Sequence, residues 1–389
     1  MKHFFLPVCL VLLLLSCGKK NDNVVLIDPD DAVEAVLTDV ACDIRIIPLK
    51  SDEPMMKSTW FVFYDDYFFG TTMDFDYTFK YLNVFDKEGN LLGKIDRVGR
   101  GPGEYLGLAN FFFDPQTKVL KLFDISDEQA KITSYQLPGL EYLGADKWFM
   151  RMLRMDQLVA MGDGRFLFQA HRPDESEQDL RILTFDESNN VSGMVDLGTV
   201  GSNEIAPTFY CAHFTNYKNP LVAFFGYNNR ICRIEGDSLV DEFCFTFGPK
   251  GLPQSFADNQ DRVTSYMIIT SEFEMYMQQD CAIQYDVPVK NGDVLSFCYQ
   301  RDSNDEEKRY LHYYVTDGKK SANYSKLNIP GIKMKPQLIG THGTSYVMEL
   351  PDVLEIDESV PMSELGQQIV DAYKNQNDNN PILLEFSFK

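Results

Sequence analysis

Trp60 to Thr72 reads WFVFYDDYFFGTT, and Tyr81 to Ile95 reads YLNVFDKEGNLLGKI. In the first stretch two apolar, aromatic-rich runs flank Asp65-Asp66; in the second, two more flank Asp86 to Asn90, where Gly89 is free to take positive φ. Each half predicts a strand, a tight turn and a strand, so together they describe one four-stranded meander. The phrase then returns. ANFFFDPQTKVLKLFD followed by KITSYQLPGLEYLG repeats it with a turn at Pro138-Gly139, and DQLVAMGDGRFLFQA, with Asp163-Gly164 as its hairpin signal, is followed by LRILTFDESNNVSGMVDLG. A fourth copy begins near Thr208 and ends at Phe247, with RICRIEGDSLVDEFCFTF as its outer hairpin. A fifth runs from VPVKNGDVLSFCYQR to RYLHYYVTDGKKSANYSKLNI.

A sixth copy is split. PQLIGTHGTSYVMEL supplies two strands and the final ILLEFSFK a third, while DIRIIPL at Asp43 to Leu49 is an orphan ahead of the first copy. Pairing the two chain ends would complete the sheet and remove the open edges that a row of sheets exposes. The prediction is an all-β, six-bladed β-propeller of four-stranded antiparallel blades, closed by its N- and C-terminal strands and carrying small helical inserts. Blades packed face to face bury both faces of most strands, which suits the non-alternating runs FVFY, FFF and AFF and the 29 Phe and 20 Tyr. A β-sandwich is the competing architecture, but it does not require the terminal strands to be neighbours. Two breaks interrupt the pattern, Gly248 to Asp280 and Met362 to Asn375. In the second, Met362, Leu365, Ile369 and Tyr373 share one face at helical spacing, predicting a short amphipathic helix.

The composition of the 389 residues, 44% hydrophobic and 24% charged, excludes a disordered or collagen-like chain. With 36 Lys plus Arg against 58 Asp plus Glu, a formal charge of −22 argues against a nucleic-acid partner. Met1-Lys2-His3 leads into an apolar run, Phe4 to Leu15, that is too short for the ~20 residues of a membrane-spanning helix and reads as a signal peptide. It ends Leu14-Leu15-Ser16-Cys17-Gly18, which resembles the lipobox of bacterial lipoproteins and marks Cys17 as the lipidation site. The expected organisation is a signal peptide over residues 1–16, a lipidated N-terminus and tether over 17–40, and the propeller over 41–389. Acyl chains on Cys17 would anchor the domain to a membrane. Gly18 does not resemble the aspartate inner-membrane retention signal, which favours the outer membrane, on its periplasmic or surface face. The six remaining mature cysteines form no CxxC pair, and mostly buried thiols are expected.

Arg97-Val98-Gly99-Arg100-Gly101-Pro102-Gly103-Glu104-Tyr105, set between FDKEGNLLGKI and FFFDPQTKVLKLFD, resembles the connector after the first blade in bacterial six-bladed β-propeller lipoproteins, exported proteins of the NHL- and TolB-like kind. The preceding IRIIPLK is similar to that family's first strand. The resemblance is strongest from Asp43 to Asp124 and weak after Phe247. It implies fold and export, and little chemistry.

Glycines beside arginines could cradle an anion through backbone N–H groups, but GRGPGE lacks the GK[ST] of a phosphate loop. A structural connector is the favoured reading, with Gly99, Gly101 and Gly103 allowing the passage and Arg97, Arg100 or Glu104 pairing across it. In a meander, the loops between strands two and three open on the same side as the connectors between blades. Met73 to Thr78, His171 to Asp179, Arg301 to Lys308 and both inserts therefore gather on one face, where a ligand is expected at the channel mouth. Candidate ligand-binding residues there are Asp74, Asp76, Arg97, Arg100, Glu104, Tyr105, His171, Arg172 and Arg301. Asp74 and Asp76 could hold Ca²⁺ through hard oxygens, although two acids in a loop are more often simply solvated. No HExxH, zinc-ligand cluster or GxSxG elbow occurs, so no catalytic residue and no other cofactor or metal is assigned. The expected function is a membrane-anchored binding or scaffolding module for an envelope protein, glycan or peptide. The alternative is a hydrolase or lyase with a site at the channel mouth, with or without Ca²⁺.

Overall fold

The computed structural model describes residues 24–51, 59–73, 79–106, 108–124, 131–147, 155–161, 163–171, 178–186, 191–200, 213–215, 220–224, 229–251, 281–302, 311–333, 337–376 and 380–389. Six four-stranded antiparallel blades form a ring, a β-propeller. Blade 1 comprises Thr59–Tyr64, Tyr67–Met73, Phe79–Asp86 and Leu91–Ile95. Blade 2 comprises Leu108–Asp114, Val119–Asp124, Lys131–Gln136 and Glu141–Lys147. Blade 3 comprises Met155–Ala160, Arg165–His171, Gln178–Phe185 and Val191–Val200. Blade 4 is built from His213–Thr215, Leu221–Phe224, Asn229–Glu235 and Ser238–Thr246. Blade 5 is built from Cys281–Asn291, Val294–Asp302, Leu311–Thr316 and Ser321–Asn328.

Blade 6 closes the ring as the orphan-strand count predicts. Gln337–His342, Ser345–Glu349 and Ile382–Phe388 lie in that order, and Ala41–Pro48, from the other end of the chain, is the outermost strand. The register sets Ile47 against Leu383, Arg45 against Glu385 and Ala41 against Phe388. Every strand position from Ile382 to Phe388 is buried.

Aromatic wedges hold the blades together. Phe69 meets Phe111 and Phe113 between blades 1 and 2, and Phe112 meets Phe166 between blades 2 and 3. Leu167 and Ile182 pack with Val222 and Cys232 between blades 3 and 4, and Phe245 stacks on Phe297 at 4.6 Å between blades 4 and 5. Tyr313 faces Tyr346, Phe386 and Phe388 between blades 5 and 6, while Ile47 and Leu383 pack on Phe61, Phe63 and Phe68 of blade 1. At about 1.5–3 kcal/mol per fully buried large apolar side chain, these clusters hold each blade to its neighbours.

The turns follow their chemistry. The Asp86 carboxylate accepts from the amides of Glu88 and Asn90 at 3.0 and 2.8 Å, and Gly89 turns at φ +81° directly against Pro48 of the closing strand. The predicted helix is Glu364–Asn375, capped by Ser363, whose hydroxyl accepts from the Gly366 amide at 3.1 Å. Leu365 and Ile369 are buried, and Met362 and Tyr373 pack beside them. Cys42, Cys232, Cys244 and Cys298 are thiols, of which Cys232 and Cys298 are buried.

One expectation needs correction. Residues 17–40 read as a tether, yet from Val24 on the chain is part of the fold. Val25–Leu26 adds in parallel to the outer strand of blade 4, and Val33–Val36 adds in parallel to the outer strand of blade 5. Ile27, Pro29 and Leu37 are buried along the way. The physical reason is edge pairing: the outermost strand of a blade leaves a row of backbone groups unpaired, and this strap satisfies them.

Candidate functional site

The connector from blade 1 to blade 2 is a self-contained knot. The Gly99 amide donates to the Tyr105 carbonyl and the Tyr105 amide to the Arg97 carbonyl, so the two ends of the motif clamp each other. The Glu104 carboxylate folds back and accepts from the Gly101 amide at 2.6 Å, filling the space where a Cβ on Gly99 would sit. Gly103, at φ +73°, is hemmed by Tyr142 and accepts a 2.6 Å hydrogen bond from the Tyr135 hydroxyl on its carbonyl. Tyr105 is buried and donates to the Ile95 carbonyl at 3.3 Å; burial pushes its phenol well up. Lys131 donates to the Glu104 carbonyl at 2.6 Å. Glu104 and Tyr105 thus spend their polar atoms inside the connector, while Arg97 and Arg100 are exposed at its surface.

A second cluster sits where the N-terminal strap crosses blades 4 and 5. Arg301 lies one residue before the end of the second strand of blade 5, where the polar run RDSNDEEK begins, yet it is not an exposed loop residue. It is only 5% exposed. Its guanidinium donates to Asp30 at 2.6 Å and to the Pro29 carbonyl at 3.4 Å, both on the strap. Asp30 also takes Lys250, in the connector between blades 4 and 5, at 2.7 Å. Hydrogen bonds from Lys250 and then Arg301 pull the Asp30 carboxyl down to about 2.

Beneath this ion triad runs a chain of neutral groups. The Tyr299 hydroxyl donates to the Asn323 side-chain oxygen at 2.8 Å, and the Asn323 amide donates to the Asp28 carbonyl at 3.1 Å. The Tyr299 oxygen is then left to accept from His312 Nδ1 at 3.0 Å. His312 is 2% exposed; burial, and then the Arg301 charge, lower its pKa to about 4, so the ring is neutral. Tyr299 and His312 are direct cross-strand partners, which is why two strands can bring them together.

A third cluster lies at the ring closure. Glu385 accepts from Arg45 at 3.1 Å and meets His342 Nδ1 at 3.0 Å, and Arg45 also donates to the Lys87 carbonyl of blade 1. His342 Nε2 lies 3.3 Å from the Asp65 carbonyl, with Phe68 edge-on to the ring. Three strands of blade 6 and two turns of blade 1 meet here.

Among the described candidates, the connector residues and Arg301 do not converge. The Arg97–Tyr105 connector lies at the boundary of blades 1 and 2, and Arg301 lies by the boundary of blades 4 and 5, three blade steps away on the opposite side of the ring. His171 is the last residue of its blade 3 strand, and Asp74, Asp76 and Arg172 lie outside the described residues, as does Cys17. Among the described residues no group of three or more His, Cys, Asp or Glu is placed to hold a metal ion, and no helix is long and apolar enough to cross a membrane. Sequence reasoning missed Asp30, Lys250, Tyr299 and Asn323. The register of Tyr299 against His312 could have been counted back from the hairpin turns; the strap could not.

Comparison with known structures agrees with the ring. A protein of Bacteroides fragilis described as exported superposes with a TM-score of 0.65 at 15% identity, covering 94% of this chain and 100% of its own. A member of the DUF4221 family from Bacteroides vulgatus gives 0.50 at 9% identity, covering 90% of this chain and 98% of its own. At these identities the likeness is one of fold. A search of curated proteins returned no match. The family model described as a domain of unknown function, DUF4934, matches residues 24–387, and the span it covers runs from the first strand of the strap to the C-terminal strand of blade 6. The chain belongs to the DUF4934 family.

Proposed function

We propose that this protein is an exported propeller, lipid-anchored at Cys17 in the outer membrane, that binds or scaffolds an envelope protein, peptide or glycan through its loop-rich face. The observation that carries the reading is the division of labour in the ring. The described polar candidates Glu104, Tyr105 and Arg301 hold backbone and strap in place, and they stand on opposite sides of the ring rather than around one reacting centre. Chemistry at a single substrate needs groups within hydrogen-bond reach of each other, whereas recognition of a large partner uses a wide, rigidly supported rim. The leader Phe4 to Leu15 and the sequence LLSCG after it support export and anchoring, and likeness to a protein described as exported supports export alone.

The test is capture from detergent-solubilised envelope together with a glycan array, both with the purified propeller as bait. A specific partner that competes with a glycan or peptide, and is lost when rim loops are replaced, is the expected outcome. No partner on either, combined with turnover of a substrate by the purified domain, would overturn the reading.

A further inference from the structure

We propose that the outer edge of blade 4, where the strap begins, is the surface this propeller turns toward the lipid bilayer. The inference rests on the anchoring of Cys17 proposed above and adds an orientation to it. Val24 is seven residues from Cys17, and seven residues fully extended span at most about 25 Å. A folded chain of this length has a radius of gyration of about 21 Å and so a width of about 50 Å. The link is half the width of the body it holds. It cannot reach around the ring, so whichever surface carries Val24 stays next to the acylated cysteine.

That surface carries the features of a lipid contact. Val25 packs inward and Ile27 is buried, while Val24 and Leu26, alternating with them, point out with 41% and 63% exposure. Both lie outside the last strand of blade 4, at the perimeter of the ring. Val33, farther along the strap, is also exposed, but its exposed neighbours Asp31 and Glu34 keep it in water. Of the exposed apolar side chains on the described surface, Val24 and Leu26 are the ones at the point where the chain leaves for the membrane. An exposed apolar pair beside an acyl anchor supplies a second, weaker contact to the same membrane surface.

The experiment ligates a thioester lipid to the N-terminal cysteine of the mature chain beginning at Cys17, inserts it in phosphatidylcholine vesicles with brominated acyl chains, and reads tryptophan quenching. Leu26→Trp places an indole on the proposed contact. Leu92→Trp places one on the outer strand of blade 1, across the ring, and the unsubstituted protein supplies the background of Trp60 and Trp148. Quenching severalfold stronger for Leu26→Trp than for Leu92→Trp, with Val24→Trp behaving like Leu26→Trp, is the expected result. Equal quenching at both sites, or stronger quenching at position 92, overturns the orientation. Mass spectrometry of the N-terminal peptide from envelope extracts separates this from the anchor itself. An unacylated Cys17 there would sink the anchoring reading, while the ligated vesicle still decides whether a lipid at that position orients the ring.

Discussion

His312 gives this fold a built-in acid sensitivity whose size follows from its burial. In the unfolded chain an imidazole titrates near 6.5, and in the propeller burial and the Arg301 charge lower it to about 4. Between those values the unfolded state binds a proton that the folded state refuses, so stability is fully present above about 6.5 and falls as pH drops toward about 4. The difference of roughly 2.5 pH units corresponds to about 3 kcal/mol, a large share of the stability of a typical domain. The assay is urea unfolding at a series of pH values between 7 and 4 for the wild type and for His312→Gln, whose amide still offers Tyr299 a donor but does not titrate. Other titrating groups act alike in both proteins and cancel in the difference. The wild type should lose about 3 kcal/mol more than the variant across that window. Parallel profiles would refute the reasoning, because they would mean that His312 binds its proton equally well in both states.

Glu385→Ala should cost about 2–3 kcal/mol, below the usual cost of breaking a fully buried pair because Arg45 can turn into water; denaturant unfolding reads it, and a change under 0.5 kcal/mol would contradict the closure cluster. Gly89→Ala and Gly164→Ala both place a Cβ at φ +81°, but only at Gly89 would that atom lie 2.6 Å from Pro48 O, with nothing within 4 Å at Gly164. The first should therefore lower the thermal midpoint distinctly more, at about 1–3 kcal/mol against about 1. Asp30→Asn should loosen the strap by about 1 kcal/mol, roughly fivefold faster amide exchange over Val25–Val36. In the wild type the same loosening should set in as pH falls from about 4 toward about 2, because the carboxylate that Lys250 and Arg301 stabilise is then protonated.

The blades were legible because each carries its own signals: apolar runs of strand length and turns such as Asp86 to Asn90 whose side chains make the bonds they advertise. Ring closure was legible by counting, since three strands at one end and an orphan at the other complete a blade. The structural role of Glu104 and Tyr105 followed from the glycines around them. The strap was not legible. Val25–Leu26 and Val33–Val36 are two and four residues long, set among Asp28, Asp30 and Asp31, and what makes them strands is the neighbouring blade edge rather than their own pattern. The burial of Arg301 was hidden for the same reason. A polar run reads as solvated loop unless the segment that covers it is known, and that segment lies 271 residues away in sequence.

The pairing of Ala41–Pro48 with Ile382–Phe388 is the claim on which the ring depends, and a cross-link tests it directly. Arg45 and Glu385 are direct register partners, so cysteines at both positions would have Cβ atoms about 4.5–5.5 Å apart, close enough for a small adjustment to form a disulfide. Oxidation of the Arg45→Cys/Glu385→Cys protein, followed by proteolysis and mass spectrometry, should yield the peptide around residue 45 joined to the peptide around residue 385 within one chain. A folded protein in which these two thiols stay reduced, or bond to other cysteines instead, would contradict a propeller closed by its own termini.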